Sequence, residues 1–322
     1  MTNEPTREAA DAHRGGPGSG RLAVVPAILG GLGAALCWAT SSMAAARSAR
    51  LIGSWATVGW VMLIGVLIAV PATIVGGAGA NLTPEALTLL GISGAGNVVG
   101  LLLAYTAFKA AKVAVIAPII STEGAMGAVI SIALGEQVGI AAAIVLTAIA
   151  IGVILASSGR DEPVVAEPGG LVADPALAAT PGHPGRKATI TAVAAALSFG
   201  INLYASARIG ATLPLVWSIL PARLGGFVFV ALPLLMTGRL RLTREALPLV
   251  ALVAVTEIVG TAVFAFGARD GIAVAAVTSS QFGAIAAVVS VVAFGERLRR
   301  IQLVGIVAIA VGVASLAALQ SG

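Results

Sequence analysis

Beyond Arg21 the chain is a succession of apolar runs, each close to the roughly 20 residues that a helix needs to cross a bilayer. Ten are predicted, at residues 22–45, 54–76, 87–108, 113–134 and 139–157, then 188–207, 214–237, 247–268, 272–294 and 301–319, numbered here as spans 1 to 10. Backbone polar groups in lipid must be satisfied within their own segment, and runs of this length select helices. Composition closes the soluble option. Hydrophobic residues make up 58% and charged residues 10%, whereas a water-facing domain carries about 25% charged residues. The 40 glycines suit helices whose backbones pack closely. The prediction is an all-α polytopic protein, multi-pass in the cell (inner or cytoplasmic) membrane, with the lipid bilayer as its surroundings.

Several function classes fall away. Cys37 is the single cysteine, and His13 and His183 both lie outside the apolar runs. No internal disulfide can form, and neither a metal nor a cofactor is expected. Catalysis would need His, Cys or paired carboxylates grouped together, so the chain is not expected to be an enzyme. The net charge of +5 comes mostly from cations beside apolar segments, which set membrane topology, and no nucleic-acid partner is expected. Residues 1–21 read as a polar, disordered tail. Leu22 opens a span-length run, so no cleaved signal peptide is expected. Five prolines and several charges make 158–187 a flexible linker.

That linker separates five spans from five, and the two sets are copies. AIAIGV at 148–153 recurs as AIAVGV at 308–313, and Gly135-Glu136 as Gly295-Glu296, both 160 positions on. Val99-Gly100 matches Val259-Gly260 at the same offset. Trp55, Pro71 and Gly76 match Trp217, Pro233 and Gly238 at 162, while Leu36, Trp38 and Arg47 match Leu197, Phe199 and Arg208 at 161. The organisation expected is a first repeat over 22–157 and a second over 188–319. Five spans end on the side opposite to where they began, so the second copy enters inverted. Ten transmembrane helices then form two inverted five-helix repeats, with both termini on one side.

Charge supports inversion independently. Arg47 and Arg50 follow span 1, and Lys109 and Lys112 follow span 3, whereas the 2–3 and 4–5 loops carry no cation. In the second half the bias moves to the 7–8 loop (Arg239, Arg241, Arg244) and the 9–10 loop (Arg297, Arg299, Arg300), opposed only by Arg208 and Arg269. The positive-inside rule places those loops and the linker in the cytoplasm and the termini outside.

Two five-helix repeats, each closing on a Gly-Glu turn, resemble the drug/metabolite transporter superfamily, in particular its ten-helix EamA-like family. The resemblance rests on ALGEQ (133–137) and AFGERL (293–298), on CWATSS (37–42) and SFGINL (198–203), and on the arginine of PARLGG (221–226). It implies transport of small metabolites, such as amino acids, nucleosides or drugs, often by export. It also implies cytoplasmic termini, contrary to the loop charges. The chain departs from the pattern in span 9, where Thr278 stands opposite Pro118.

Three ionisable side chains fall well inside predicted spans: Glu123, Arg223 and Glu257. Each costs at least about 2.5 kcal/mol at the bilayer centre, so none should face lipid. Glu257 stands opposite Asn97 in the repeat, and Ser121 opposite Gln281 beside Ser280. Substrate sites of inverted-repeat transporters lie near the midplane between such sets. Arg223 either serves that site or pairs with Glu257 as structural glue. Glu123, with no second intramembrane cation to neutralise it, is expected to bind a substrate amine or carry a proton. Asn202, Trp38 and Tyr105 complete the candidate set, the aromatics serving equally well as packing or interfacial anchors. The function expected is a secondary transporter of a small-molecule substrate, leaning towards a zwitterion, with Glu123 and Glu257 as proton carriers if transport is proton-coupled. No GxxxxGK[ST] motif for nucleotide occurs in the sequence. The alternative is a non-transporting membrane scaffold or signalling subunit.

Overall fold

The computed structural model describes residues 19–75, 82–111, 113–135, 140–157 and 185–294, with scattered positions between 300 and 315. The described elements are all helical. Spans 1, 2 and 3 are the helices Ser19–Ile52, Ser54–Val75 and Pro84–Ala110, and span 5 is Ile140–Ser157. Span 6 is Arg186–Thr212 and span 8 is Ala246–Gly267. Seven helical stretches among the described residues, those of spans 1 to 4 and 6 to 8, are long and apolar enough to cross a membrane. The tail, nearly all of the linker, Glu136, Glu296 and most of span 10 lie outside the described residues.

Helix ends follow local chemistry. The Thr83 hydroxyl accepts the Ala86 N–H at 3.1 Å, with Pro84 opening span 3. Gly135 and Gly238, just past the ends of spans 4 and 7, have φ of +103° and +65°, a conformation that other residues enter only with strain. Gly53, at φ +88°, alone separates spans 1 and 2. Span 1 therefore continues well past residue 45, and Arg47 and Arg50 sit on its last turns rather than in a loop.

The solvation pattern is inside out. Leu67, Ile74, Val75, Phe229 and Met236 are exposed, whereas Ser41, Ser93, Asn97, Glu123, Arg223 and Glu257 are buried. Such a surface suits lipid, with the polar groups held in the interior.

Packing follows the repeat. Span 1 runs antiparallel to span 8: a Cβ on Gly30 would lie 2.7 Å from Gly267 Cα, and Ser41 meets Glu257. Span 3 runs antiparallel to span 6, with Gly96 against Ser198 and Ser93 against Ser206. The repeat register converts the first pair into the second. Spans 2 and 7, which register maps onto each other, also cross antiparallel, with Gly59 near Leu240 and Gly65 near Arg223. Equivalent glycines receive equivalent rings: a Cβ on Gly260 would lie 2.7 Å from Trp38 Nε1, and one on Gly100 2.5 Å from Phe199 Cε1.

Spans 4 and 9 are both broken. Span 4 is Val113–Ile120 and Glu123–Ala133; span 9 is Ile272–Ser279 and Phe282–Phe294. After Pro118, the Ser121 hydroxyl donates to Pro118 O at 2.8 Å and Thr122 to Ile119 O at 2.8 Å. Span 9 breaks without a proline. Ser279, Ser280 and Gln281 side chains donate to the Ala276 and Val277 carbonyls instead, competing with the backbone ladder. The halves lie head to tail, as Gly124 packs on Ala276 and Ser280, and Gly283 on Ala117 and Ser121. Span 7 is irregular too. Its π-helical turn Phe227–Ala231 precedes Pro233, whose ring crowds the carbonyl four residues back.

Candidate functional site: an interior polar cavity

One cavity lies where spans 1, 3, 4, 6, 8 and 9 converge, three from each repeat. Its volume is about 40 Å³, room for roughly three waters at 10–15 Å³ each. Polar groups reach it from five of the six spans: Ser41 and Ser42 on span 1, Asn97 and Tyr105 on span 3, Glu123 on span 4, Asn202 on span 6 and Glu257 on span 8. The rest of the wall is aromatic and aliphatic, including Trp38, Phe108, Phe199 and Phe282.

Glu257 is held on both oxygens. The Ser41 hydroxyl donates to Oε1 at 2.7 Å, and Arg223 Nη2 stands 3.8 Å from Oε2. Arg223 is 1% exposed and approaches from span 7, behind the cavity wall, with Nη1 3.8 Å from Met62 Sδ. Opposite, Asn202 Oδ1 accepts from Ser93 at 3.0 Å and from Ser206 at 3.2 Å. Ser41 and Asn202 are 161 positions apart, and Asn97 and Glu257 are 160 apart. The same two places in each repeat therefore supply the polar groups of the cavity's two sides.

Glu123 differs. It is 4% exposed, lines the cavity, and makes no hydrogen bond or ion pair with the described residues. It opens the helix Glu123–Ala133, where a negative charge gains about 0.3–1 kcal/mol from the helix dipole. One further buried atom beside the cavity, Asn97 Oδ1, has no partner among the described residues.

Of the residues singled out from sequence, Glu123, Glu257, Asn97, Asn202, Trp38 and Tyr105 line the cavity. Trp38 also packs against Phe264, the rings tilted by 41° with centroids 5.8 Å apart. Arg223 stands behind Glu257. Ser121, Ser280 and Gln281 do not line the cavity; their side chains close the helix breaks of spans 4 and 9. Sequence reasoning passed over Ser41, which the repeat register places opposite Asn202, and Phe199, which it places opposite Trp38.

An interior polar chamber within a lipid-facing helical bundle defines a polytopic membrane protein with a candidate site at its centre. Residues 25–158 match the model of the EamA-like transporter family, part of the drug/metabolite transporter superfamily. That family suggests a membrane transporter of small molecules. Twenty-four chains of solved structures match as well. One, described only as a crystal structure of protein, covers 91% of this chain and 96% of its own at TM-score 0.65 and 17% identity; this is a likeness of fold. No curated protein matches the chain.

Proposed function

We propose that the protein is a secondary transporter that exports a small metabolite across the cell membrane by alternating access. Two five-helix repeats, 22–157 and 188–319, joined by the linker 158–187, rock about the interior cavity with both termini on one side. The observation that carries this reading is the lining of one polar chamber by three spans of each repeat, the arrangement that lets relative motion of the halves open it to either side. At about 40 Å³ the chamber is too small for most metabolites, so loading requires the halves to part.

Glu123 is the coupling residue of this reading, exchanging a proton or meeting the substrate's charge. A zwitterionic substrate would need a cation for its carboxylate. Arg223, the intramembrane arginine, faces Glu257 from behind the wall, which weakens that preference.

Reconstitution into liposomes tests the proposal. Saturable, gradient-driven movement of one class within a labelled metabolite panel is expected. A protein that moves no member of the panel, and is stabilised reproducibly only by a partner protein, would be the scaffold or signalling subunit instead.

A further inference from the structure

We infer that the cavity selects a small organic monocation, its ammonium group seated on Glu123 and its apolar body against the aromatic wall. The inference rests on the transporter reading and names the substrate class of that same site.

Charge balance is the first reason. Three charged groups meet at this depth, and two of them face each other, Arg223 and Glu257 at 3.8 Å. Among the described residues no lysine, arginine or histidine lines the cavity. Glu123 is left with its charge uncompensated by any described side chain, and a buried charge without a counter-ion is costly. Either a proton or a cationic ligand removes that cost. A ligand carboxylate would add a second uncompensated negative charge beside the first.

An unsatisfied atom gives the second reason. Asn97 Oδ1, on the wall of the same small cavity as Glu123, is buried and has no donor. An ammonium carries three donors and no acceptor, and a carboxylate with a nearby amide oxygen can receive them.

The wall supplies the third. Trp38, Phe199, Phe108 and Phe282 face the chamber, and aromatic faces attract cations while excluding water. They have nothing comparable to offer an anion.

A matched series on one phenyl scaffold tests the assignment with the purified full-length chain: 2-phenylethylammonium, 2-phenylethanol, 3-phenylpropanoate and phenylalanine, with sodium chloride as the inorganic cation. Binding is read by thermal stabilisation and tryptophan fluorescence. The ammonium should bind about 10- to 100-fold more tightly than the alcohol, the range of one hydrogen bond to a charged group. E123Q should reduce it to the alcohol's level and E123D should retain part of the gain, both variants melting near the wild type without ligand. Equal binding of alcohol and ammonium, preference for phenylalanine or the propanoate, a response to sodium alone, no binding by any member, or wild-type binding in E123Q would each overturn the assignment. Counterflow in liposomes separates the two readings. Transport of phenylalanine but not the ammonium would leave the transporter and remove the cation; Glu123-dependent binding of the ammonium without movement of any member would leave the site and remove the transporter.

Discussion

Arg223 and Glu257 face each other 3.8 Å apart where spans 7 and 8 meet, and their side chains are 1% and 9% exposed. Replacing Glu257 by Gln leaves the guanidinium buried without its counter-charge, which typically costs about 3–5 kcal/mol. The melting temperature in detergent should fall accordingly. Combining Glu257→Gln with Arg223→Met should recover much of the loss, because neither partner of the pair is then left charged. A double variant that melts below both single variants would mean that the pair is more than a mutual neutraliser.

Glu123 should behave in the opposite way. No hydrogen bond or ion pair with described residues is lost in Glu123→Gln, so melting should stay near the wild-type value while gradient-driven transport disappears. Wild-type transport with an unchanged pH profile in this variant would reduce Glu123 to a packing residue.

The contact between spans 1 and 8 can be probed without touching the cavity. An added methyl on Gly30 would come within 2.7 Å of Gly267 Cα and 2.8 Å of Val263 O, backbone atoms that cannot rotate away. Gly30→Ala should destabilise by about 1–3 kcal/mol, read as a lower detergent melting temperature. Gly225→Ala meets nothing within 4 Å and should be neutral or mildly stabilising through helix propensity. Equal melting of the two variants would contradict the close crossing.

The cations carry an expectation for orientation. Arg50 Nη2 donates to Phe108 O and Ala111 O at the C-terminal end of span 3, and Trp60 Nε1 donates to Arg241 O. The described basic ends of spans 1 and 3 and the 7–8 loop therefore share one face, while Arg208 on the other lies 3.8 Å from Glu85. With that basic face cytoplasmic, a cysteine at Ala173 in a Cys37→Ser background should resist an impermeant maleimide in intact cells. Ready labelling would place the linker outside.

Sequence alone made the apolar helical spans legible, seven of them among the described residues, because apolar length is a property of the chain itself. Register carried much of the site too: Asn97 opposite Glu257 and Trp38 opposite Phe199 are countable. What stayed hidden was partnership across helices. Nothing in the composition distinguishes an arginine lining a chamber from one standing behind it, nor Ser41, which holds Glu257, from Thr40, whose hydroxyl returns to Leu36 O at 2.9 Å. The break in span 9 was hidden for another reason. The proline of span 4 has no counterpart there, and short hydrogen-bonding side chains do the same work in a form that apolar periodicity does not register.

The Gly30–Gly267 crossing has a bearing on how evenly the molecule can divide its time. Thr191 and Ala107 occupy the corresponding positions of spans 6 and 3, and both carry a Cβ. If the halves trade conformations, the mirror-image closure has to stop short of the backbone contact that the two glycines allow. Under the proposed rocking motion, the end where Gly30 and Gly267 meet packs more closely than its counterpart can, for want of two methyl groups.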